Sequence, residues 1–143
     1  ATSTIDRLAG LTSELTKHGL TPQRAVFGNS YAHETGRVLM HALLERDAFD
    51  AVFCGDDILA IGGLDACIEN GIKVPEQLGI IGFNDIAMAA WPAYRLTTVR
   101  QPIGDIISAA VEMIADMVDQ QSASAVSELF HCTLVERATL RPI

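Results

Sequence analysis

The side chains with the most chemical potential stand directly after short apolar segments that we interpret as β-strands. They are carboxylates, amides, a guanidinium and hydroxyls: Asn29, Ser30, Tyr31, Asp56, Asp57, Asn84, Asp85, Arg100 and Gln101. Such groups donate and accept several hydrogen bonds at fixed positions, which suits reversible binding of a polar small molecule. Ligands of open parallel sheets bind beyond the carboxyl ends of the strands, so this edge is the candidate site.

Helix capping is the competing explanation for some of these acids. Aspartate is a preferred residue at helix N-caps, and we assign a cap to Asp57 and a cap or loop role to Asp85. Asp56 and Asn84 are each the first polar residue after an apolar strand. We therefore favour a ligand-binding role for these two.

Motifs for catalysis, phosphate binding or metal binding are missing. The sequence has no GxGxxG, GxxxxGK(S/T), GxSxG or HExxH pattern. Gly62-Gly63 falls inside a predicted helix, where close helix packing is its expected role. His33, Arg37 and His41 share one helix face at four-residue spacing, and we prefer a solvated polar face over a metal site. We expect no cofactor, no metal and no enzymatic activity.

The Asp56-Asp57 pair also suggests a phospho-acceptor receiver domain, in which paired acids hold magnesium. That interpretation requires a lysine at the end of a later strand. The only lysines, Lys17 and Lys73, belong to a predicted helix end and a loop. We set the receiver interpretation aside.

Predicted helices and strands alternate along most of the chain. Helices are expected at 4–18, 32–46, 57–70 and 103–119, and strands at 24–28, 51–55, 78–83, 96–99 and 130–139. A Ser/Ala-rich linker is expected at 120–127. The strands are continuous apolar runs separated by helices, which is typical of a parallel sheet covered on both faces. The predicted fold class is α/β with a parallel sheet.

Composition narrows the classes of partner and the cellular location. The 143 residues carry 18 acids and 10 bases, a net charge of −8, which disfavours binding of this chain to DNA or RNA. No apolar run approaches the roughly 20 residues that cross a bilayer. The three cysteines, Cys54, Cys67 and Cys132, are odd in number and indicate free thiols in a reducing, cytoplasmic compartment. The chain begins at Ala1 without a signal peptide, and we expect upstream sequence to be missing.

Three segments carry a family pattern in their order and spacing. They are AVFCGDDILAIGGL at 51–64, NGIKVPEQLGIIGFND at 70–85 and LTTVRQP at 96–102. Arg7-Leu8-Ala9-Gly10 and Leu134-Val135-Glu136-Arg137-Ala138 fit the same pattern. Together they resemble the effector-binding domain of the lactose-repressor/galactose-repressor (LacI/GalR) family of bacterial transcription regulators.

The resemblance implies a periplasmic-binding-protein-like pair of α/β subdomains with a ligand cleft between them. Residues 1–99 and 128–143 would form the C-terminal subdomain. Residues 100–127 would form a hinge crossing and a helix of the N-terminal subdomain. The DNA-binding helix-turn-helix and most of that second subdomain would lie outside this chain, so the helix at 103–119 would expose its apolar stripe.

The resemblance also implies the ligand contacts, which fall on Arg7, Tyr31, Asp56, Asn84 and Gln101. This set suits a polyhydroxylated, sugar-like effector, with Tyr31 lying against the apolar face of the ring. Two positions depart from the family pattern. The family usually has aspartate at the position of Asn84 and often asparagine or glycine at that of Asp56, which leaves the particular sugar open.

By the same resemblance, the protein is a homodimer and an allosteric regulator. Its dimer contacts would include Ile61, Met88, Trp91 and Tyr94, whereas Ile58 and Leu64 suit core packing. Ligand binding would change the orientation of the two subdomains and thereby the affinity for operator DNA. The principal alternative is a periplasmic sugar-binding protein of a transport system. An enzyme using Asp56 or Asp57 and a plain interaction module are weaker alternatives.

Overall fold

The computed structural model describes residues 2–46, 48–120 and 127–142. Four helices and four strands follow one another in these ranges, together with a short 3-10 helix at Ala87–Ala90. The helices are α1 (Thr2–Lys17), α2 (His33–Leu44), α3 (Asp57–Glu69) and α4 (Ile103–Gln120). The strands are β1 (Ala51–Phe53), β2 (Gly79–Phe83), β3 (Thr97–Arg100) and β4 (Thr133–Val135).

The strands form one sheet in the order β1-β2-β3-β4. The first three strands are parallel, with Val52 opposite Ile80 and Ile81 opposite Thr97. β4 pairs with β3 in the antiparallel direction. The α/β class and the parallel arrangement are confirmed for the first three strands, and their carboxyl ends therefore meet at one edge.

The hydrophobic core lies between the sheet and α3. Ile61, Leu78, Ile80 and Leu96 are among its fully or almost fully buried members. α3 is apolar around most of its circumference because α2 covers the face turned away from the sheet. A helix buried on both sides needs this composition.

Glycine allows α2 and α3 to approach each other closely. A Cβ at Gly62 would collide with the backbone carbonyl oxygen of His33, and one at Gly36 would collide with that of Leu59. Neither obstacle is a flexible side chain, so any larger residue must push the helices apart. The predicted packing role of the Gly62-Gly63 pair is confirmed.

Two predicted strands differ from the structure. Residues 24–28 are not a strand, and Phe27 is 64% exposed, because an apolar run needs a partner strand as well as suitable residues. The last strand covers only Thr133–Val135 instead of 130–139. Beyond it, backbone and side-chain groups both bond to the sheet: the Arg137 amide donates to Thr97 Oγ1, the Ile80 amide donates to the Thr139 carbonyl, and Thr139 Oγ1 donates to the Ile80 carbonyl.

The apolar stripe of α4 faces solvent, as the sequence predicts. Ile107, Ile114 and Val118 are 58%, 62% and 71% exposed.

Most of the predicted 120–127 linker lies outside the described residues. Within the described ranges, no helix combines the length and apolar character needed to cross a membrane.

Candidate functional site

Three predicted site residues meet in a hydrogen-bonded row at the carboxyl edge of the sheet. Asp56 follows β1, Asn84 follows β2 and Gln101 follows β3. Asn84 Nδ2 donates to Asp56 Oδ2 at 2.6 Å, and Gln101 Nε2 donates to Asn84 Oδ1 at 2.6 Å. We call Asp56, Asn84 and Gln101 the polar row.

Backbone hydrogen bonds hold two members of the polar row, Asp56 and Asn84, in place. Asp56 is the N-cap of α3, and its Oδ1 accepts a hydrogen bond from the Ile58 amide at 2.8 Å. Asn84 adopts a positive φ of 110°, and its amide donates to the Val99 carbonyl at 2.8 Å. Asparagine tolerates positive φ better than most residues, which suits it to this turn.

The prediction that Asp57 caps α3 is wrong, because Asp56 takes that role. Asp57 is instead fully buried between α3 and the sheet. Its carboxylate accepts hydrogen bonds from Thr98 Oγ1 at 2.5 Å and from the Ile86 amide at 2.8 Å. Burial raises the pKa of Asp57, while the bonds from Thr98 and Ile86 oppose that shift.

Arg7 reaches the same edge from α1. Its Nη1 donates to the Gly55 carbonyl at 2.6 Å, beside Asp56. Its guanidinium carbon lies 4.0 Å from the ring centroid of Phe83, and that ring meets Phe53 edge-on at 6.4 Å. A cation over an aromatic face is attracted by the ring quadrupole, so Phe83 fixes the guanidinium orientation.

Phe83 is a site residue that the sequence patterns did not predict. The available signal was its place as the last apolar residue before Asn84, with Phe53 at the equivalent place in β1. The last apolar residue of a strand lies next to the polar residues that follow the strand. An aromatic ring at this position can pack against an arginine side chain, as Phe83 packs against Arg7.

Tyr31 lies against α1 rather than within the polar row. It is half exposed, and its hydroxyl is 2.5 Å from the Thr4 hydroxyl. Thr4 precedes Arg7 by one turn of α1. The helix thus brings Tyr31 and Arg7 to the same side of the molecule.

Asp85 is an ion-pairing residue and not a helix cap, which corrects that part of its predicted role. It follows Asn84 in a loop, with a φ of 53°, and its side chain is 7% exposed. Arg100 Nε and Arg137 Nη2 each donate to it at 2.6 Å. We call Asp85, Arg100 and Arg137 the Asp85 cluster. Burial acts to raise the pKa of Asp85, but the two arginines outweigh it and lower that pKa.

Hydrogen bonds and ion pairs connect the face of α2 that carries two histidines to α3. His33 Nε2 lies 2.7 Å from Asp65 Oδ2, and His41 Nε2 lies 2.6 Å from Glu69 Oε2. Arg37 bridges Glu34 and Glu69. No group of side chains within the described ranges is arranged to hold a metal ion.

Burial keeps two of the cysteines unreactive. It raises the pKa of the Cys54 thiol to about 12 and that of Cys67 to about 11. Both thiols therefore stay protonated at neutral pH and lack the thiolate that nucleophilic chemistry requires.

One predicted dimer contact cannot reach a partner chain. Ile61 is fully buried in the core, so its predicted role at an interface is wrong. Met88 and Tyr94 are partly buried against the core. Trp91 is 52% exposed in the loop between them.

The polar row retains hydrogen-bonding capacity for a ligand. A carboxylate has about four acceptor sites, and the bonds from Ile58 and Asn84 occupy two of those on Asp56. The amides of Asn84 and Gln101 can both donate and accept. With the guanidinium of Arg7, this edge presents donors and acceptors side by side, which suits a ligand rich in hydroxyl groups.

Comparison with known proteins identifies the family. Residues 1–140 match the family described as periplasmic binding protein-like domain. The HTH-type transcriptional regulator AscG of Escherichia coli K12 is 34% identical over 82% of this chain and 35% of its own length. The HTH-type transcriptional repressor CytR of Escherichia coli K12 is 34% identical over 96% of this chain and 41% of its own length. This chain belongs to the LacI/GalR family.

A solved LacI/GalR structure supports the same assignment. The sugar-binding transcriptional regulator of the LacI family from Escherichia coli, complexed with phosphate, has a TM-score of 0.82 and 32% sequence identity to this chain. The match covers 95% of this chain and 49% of that one. The predicted periplasmic-binding-protein-like fold is confirmed.

The LacI/GalR relatives are transcription regulators and not enzymes, which confirms the sequence prediction on this point. The chain spans only about two fifths of the length of the curated relatives, at 35% and 41%. What the whole protein binds and regulates is therefore a matter for proposal.

Proposed function

We propose that this chain forms half of the effector-binding cleft of a ligand-responsive bacterial transcription regulator. The observation that carries the proposal is the polar row, in which side chains from three consecutive strands converge on one edge with Arg7 beside them. The ligand contacts are Arg7, Tyr31, Asp56, Asn84 and Gln101. The effector is a small polyhydroxylated molecule, a sugar or sugar derivative.

The charges at this edge favour an effector without a net charge. Arg7 and Asp56 contribute one charge of each sign, and Asn84 and Gln101 are neutral. The nearby charge of Asp85 is compensated by Arg100 and Arg137. Hydroxyl groups satisfy such a mixed set of donors and acceptors without leaving a charge unpaired.

The proposed cleft implies that this chain contributes to both of the subdomains that flank it. Residues 1–99 and 128–143 form the C-terminal subdomain, and residues 100–127 form a hinge crossing and a helix of the N-terminal subdomain. The exposed stripe on α4 supports this division, because six apolar side chains on one helix face require a packing partner: Ile103, Ile107, Val111, Ile114, Met117 and Val118.

The working unit is a homodimer in the cytoplasm that binds operator DNA through a helix-turn-helix outside this chain. Trp91, with Met88 and Tyr94 beside it, is the proposed center of the contact between subunits. Exposed aromatic residues are enriched in such interfaces. Effector binding changes the orientation of the two subdomains, which alters the spacing of the paired DNA-binding heads.

The test uses the full-length protein and its natural reading frame. A panel of neutral mono- and disaccharides is titrated calorimetrically, and operator binding is followed by gel shift with and without each sugar that binds. Asp56→Ala is expected to lose the sugar response while keeping operator binding. Asp50→Ala is the matched control, because it removes an exposed aspartate at the opposite end of the same strand.

Two outcomes would count against the proposal. Sugar binding by Asp56→Ala with wild-type affinity would refute the site. An upstream sequence with a secretory leader in place of a helix-turn-helix would favour the alternative, a periplasmic sugar-binding protein of a transport system.

A further inference from the structure

Asp57 lies behind the polar row and has no solvent-accessible surface. Its exposed fraction is 0%, although it is the first residue of α3 and adjoins Asp56. One carboxylate oxygen accepts from Thr98 Oγ1 in β3, and the other accepts from the Ile86 amide. The side chain thus connects α3, β3 and the loop that follows Asn84.

That loop has an unusual backbone. Asn84 and Asp85 are consecutive and both have positive φ, at 110° and 53°. Residues other than glycine adopt such conformations only where the surrounding structure holds them. The next amide along the chain, that of Ile86, is the one bound by Asp57.

The packing around Asp57 leaves room for its carboxylate. A Cβ at Gly82 would collide with Asp57 Oδ1 and lie 2.9 Å from Leu96 Cδ2. Gly82 is in β2, two residues before Asn84. The absence of a side chain at Gly82 therefore leaves space in β2, just before Asn84, for the Asp57 carboxylate.

We propose that Asp57 is a positioning residue for the effector site: its hydrogen bond to the Ile86 amide holds the Asn84-Asp85 turn. In that turn Asn84 faces Asp56 and Gln101. Asp57 contacts no ligand, since it is fully buried. The inference rests on the proposed function in one respect, namely that the polar row binds the effector.

The test measures the turn directly and needs no ligand. Hydrogen exchange of the full-length protein is followed by mass spectrometry in a peptide spanning residues 84–90 and in a reference peptide from α3. Three variants are compared: Asp57→Ala, Asp57→Asn and Thr98→Val. Thr98→Val is the matched control, because it removes the other partner of the same buried carboxylate and leaves the bond to Ile86.

Asp57→Ala is expected to speed exchange in the 84–90 peptide by at least about tenfold relative to the α3 peptide. Thr98→Val is expected to leave that ratio unchanged. Asp57→Asn should also keep the ratio near the wild-type value. Its amide oxygen can accept from Ile86, while its nitrogen donates to Thr98 Oγ1.

Equal acceleration of both peptides by Asp57→Ala and Thr98→Val would overturn the proposal, because the carboxylate would then act only on overall stability. If Asp57→Ala does not fold, hydrogen exchange at the Ile86 amide is compared between the wild-type protein and Asp57→Asn. Rapid exchange in the wild-type protein refutes the proposal. Slow exchange in both proteins supports it. The sugar titrations are independent of the hydrogen-exchange experiment. If no sugar binds but the exchange pattern is as expected, the result counts against the proposed function and not against the role of Asp57.

Discussion

The carboxylate of Asp56 accepts a hydrogen bond from the side-chain amide of Asn84 at 2.6 Å, across the ends of two neighbouring strands. The resemblance implies aspartate at the position of Asn84 and asparagine or glycine at that of Asp56. The two departures therefore amount to one exchange, in which the charge moves to the adjacent strand end. Either arrangement places a single carboxylate beside an uncharged residue, whereas two carboxylates at this distance would repel each other.

Asn84→Asp is expected to lower the free energy of unfolding by about 1–3 kcal/mol at pH 7. Like charges raise the pKa of the carboxyl pair above its unfolded value, so the destabilisation grows as the pH rises and shrinks toward pH 4. Urea unfolding at pH 7 and at pH 4.5 measures the difference. The double variant Asp56→Asn/Asn84→Asp should recover most of the loss, and no recovery would mean that charge repulsion is not the cause.

Phe83→Leu tests whether the ring orients Arg7. A double-mutant cycle with Arg7→Met, measured by urea unfolding, is expected to give a coupling energy of about 0.5–2 kcal/mol. Phe83→Tyr keeps an aromatic face and should preserve most of the coupling. Strict additivity of the two substitutions would show that the guanidinium and the ring do not interact.

The Asp85 cluster predicts a particular dependence of stability on pH. The arginines hold the pKa of Asp85 below its unfolded value, so its contribution is present above the unfolded value of about 3.9 and is lost as pH falls through the folded one. Asp85→Asn should therefore be less stable than wild type at pH 7, with the gap closing below about pH 4. Asp50→Asn serves as the control, and a gap that stays constant down to pH 2.5 would contradict the ion-pair explanation.

Gly62→Ala tests the close approach of α2 and α3. The added methyl group meets the His33 carbonyl, and we expect a loss of about 1–3 kcal/mol in the free energy of unfolding. Gly10→Ala is the matched control, because it also lies within a helix but its Cβ meets nothing within 4 Å. It should be neutral or stabilise by about 0.5–1 kcal/mol, since alanine favours helix. Similar losses in the two variants would argue against helix contact as the cause.

Trp91→Ala tests the proposed dimer. Truncating a central interface aromatic costs about 2 kcal/mol or more of association free energy, so the dissociation constant of the full-length dimer should rise about thirtyfold. Sedimentation velocity over a concentration series measures it, and Glu76→Ala, at an exposed loop residue, is the control. An unchanged dissociation constant would place the subunit contact on another surface.

The helices and the site edge were predictable because both follow from local periodicity. Asp56, Asn84 and Gln101 each follow a strand, and parallel strands bring such residues together. The prediction assigned the cap of α3 to Asp57 and not to Asp56, an error of one position along a helix that turns by about 100° per residue. A shift of one position decides which carboxylate caps the helix and which points into the core.

The predictions for residues 24–28, for the last strand and for Ile61 were wrong for another reason, because these features depend on contacts between residues distant in sequence. Residues 24–28 have the composition of a strand, but pairing is decided by a partner elsewhere in the chain. The last strand is shorter than predicted, and beyond Val135 the Arg137 amide donates to the Thr97 hydroxyl and not to a backbone carbonyl. The burial of Ile61 likewise depends on how α2 covers α3, which the sequence of α3 does not contain.

The shared carboxylate of Asp85 has a mechanical consequence. Arg100 lies at the end of β3 and Arg137 lies just beyond β4, so one acidic group braces two chain segments that run in opposite directions. Displacement of either segment relative to Asp85 therefore lengthens an ion pair of the same carboxylate, which couples the end of β3 to the residues that follow β4.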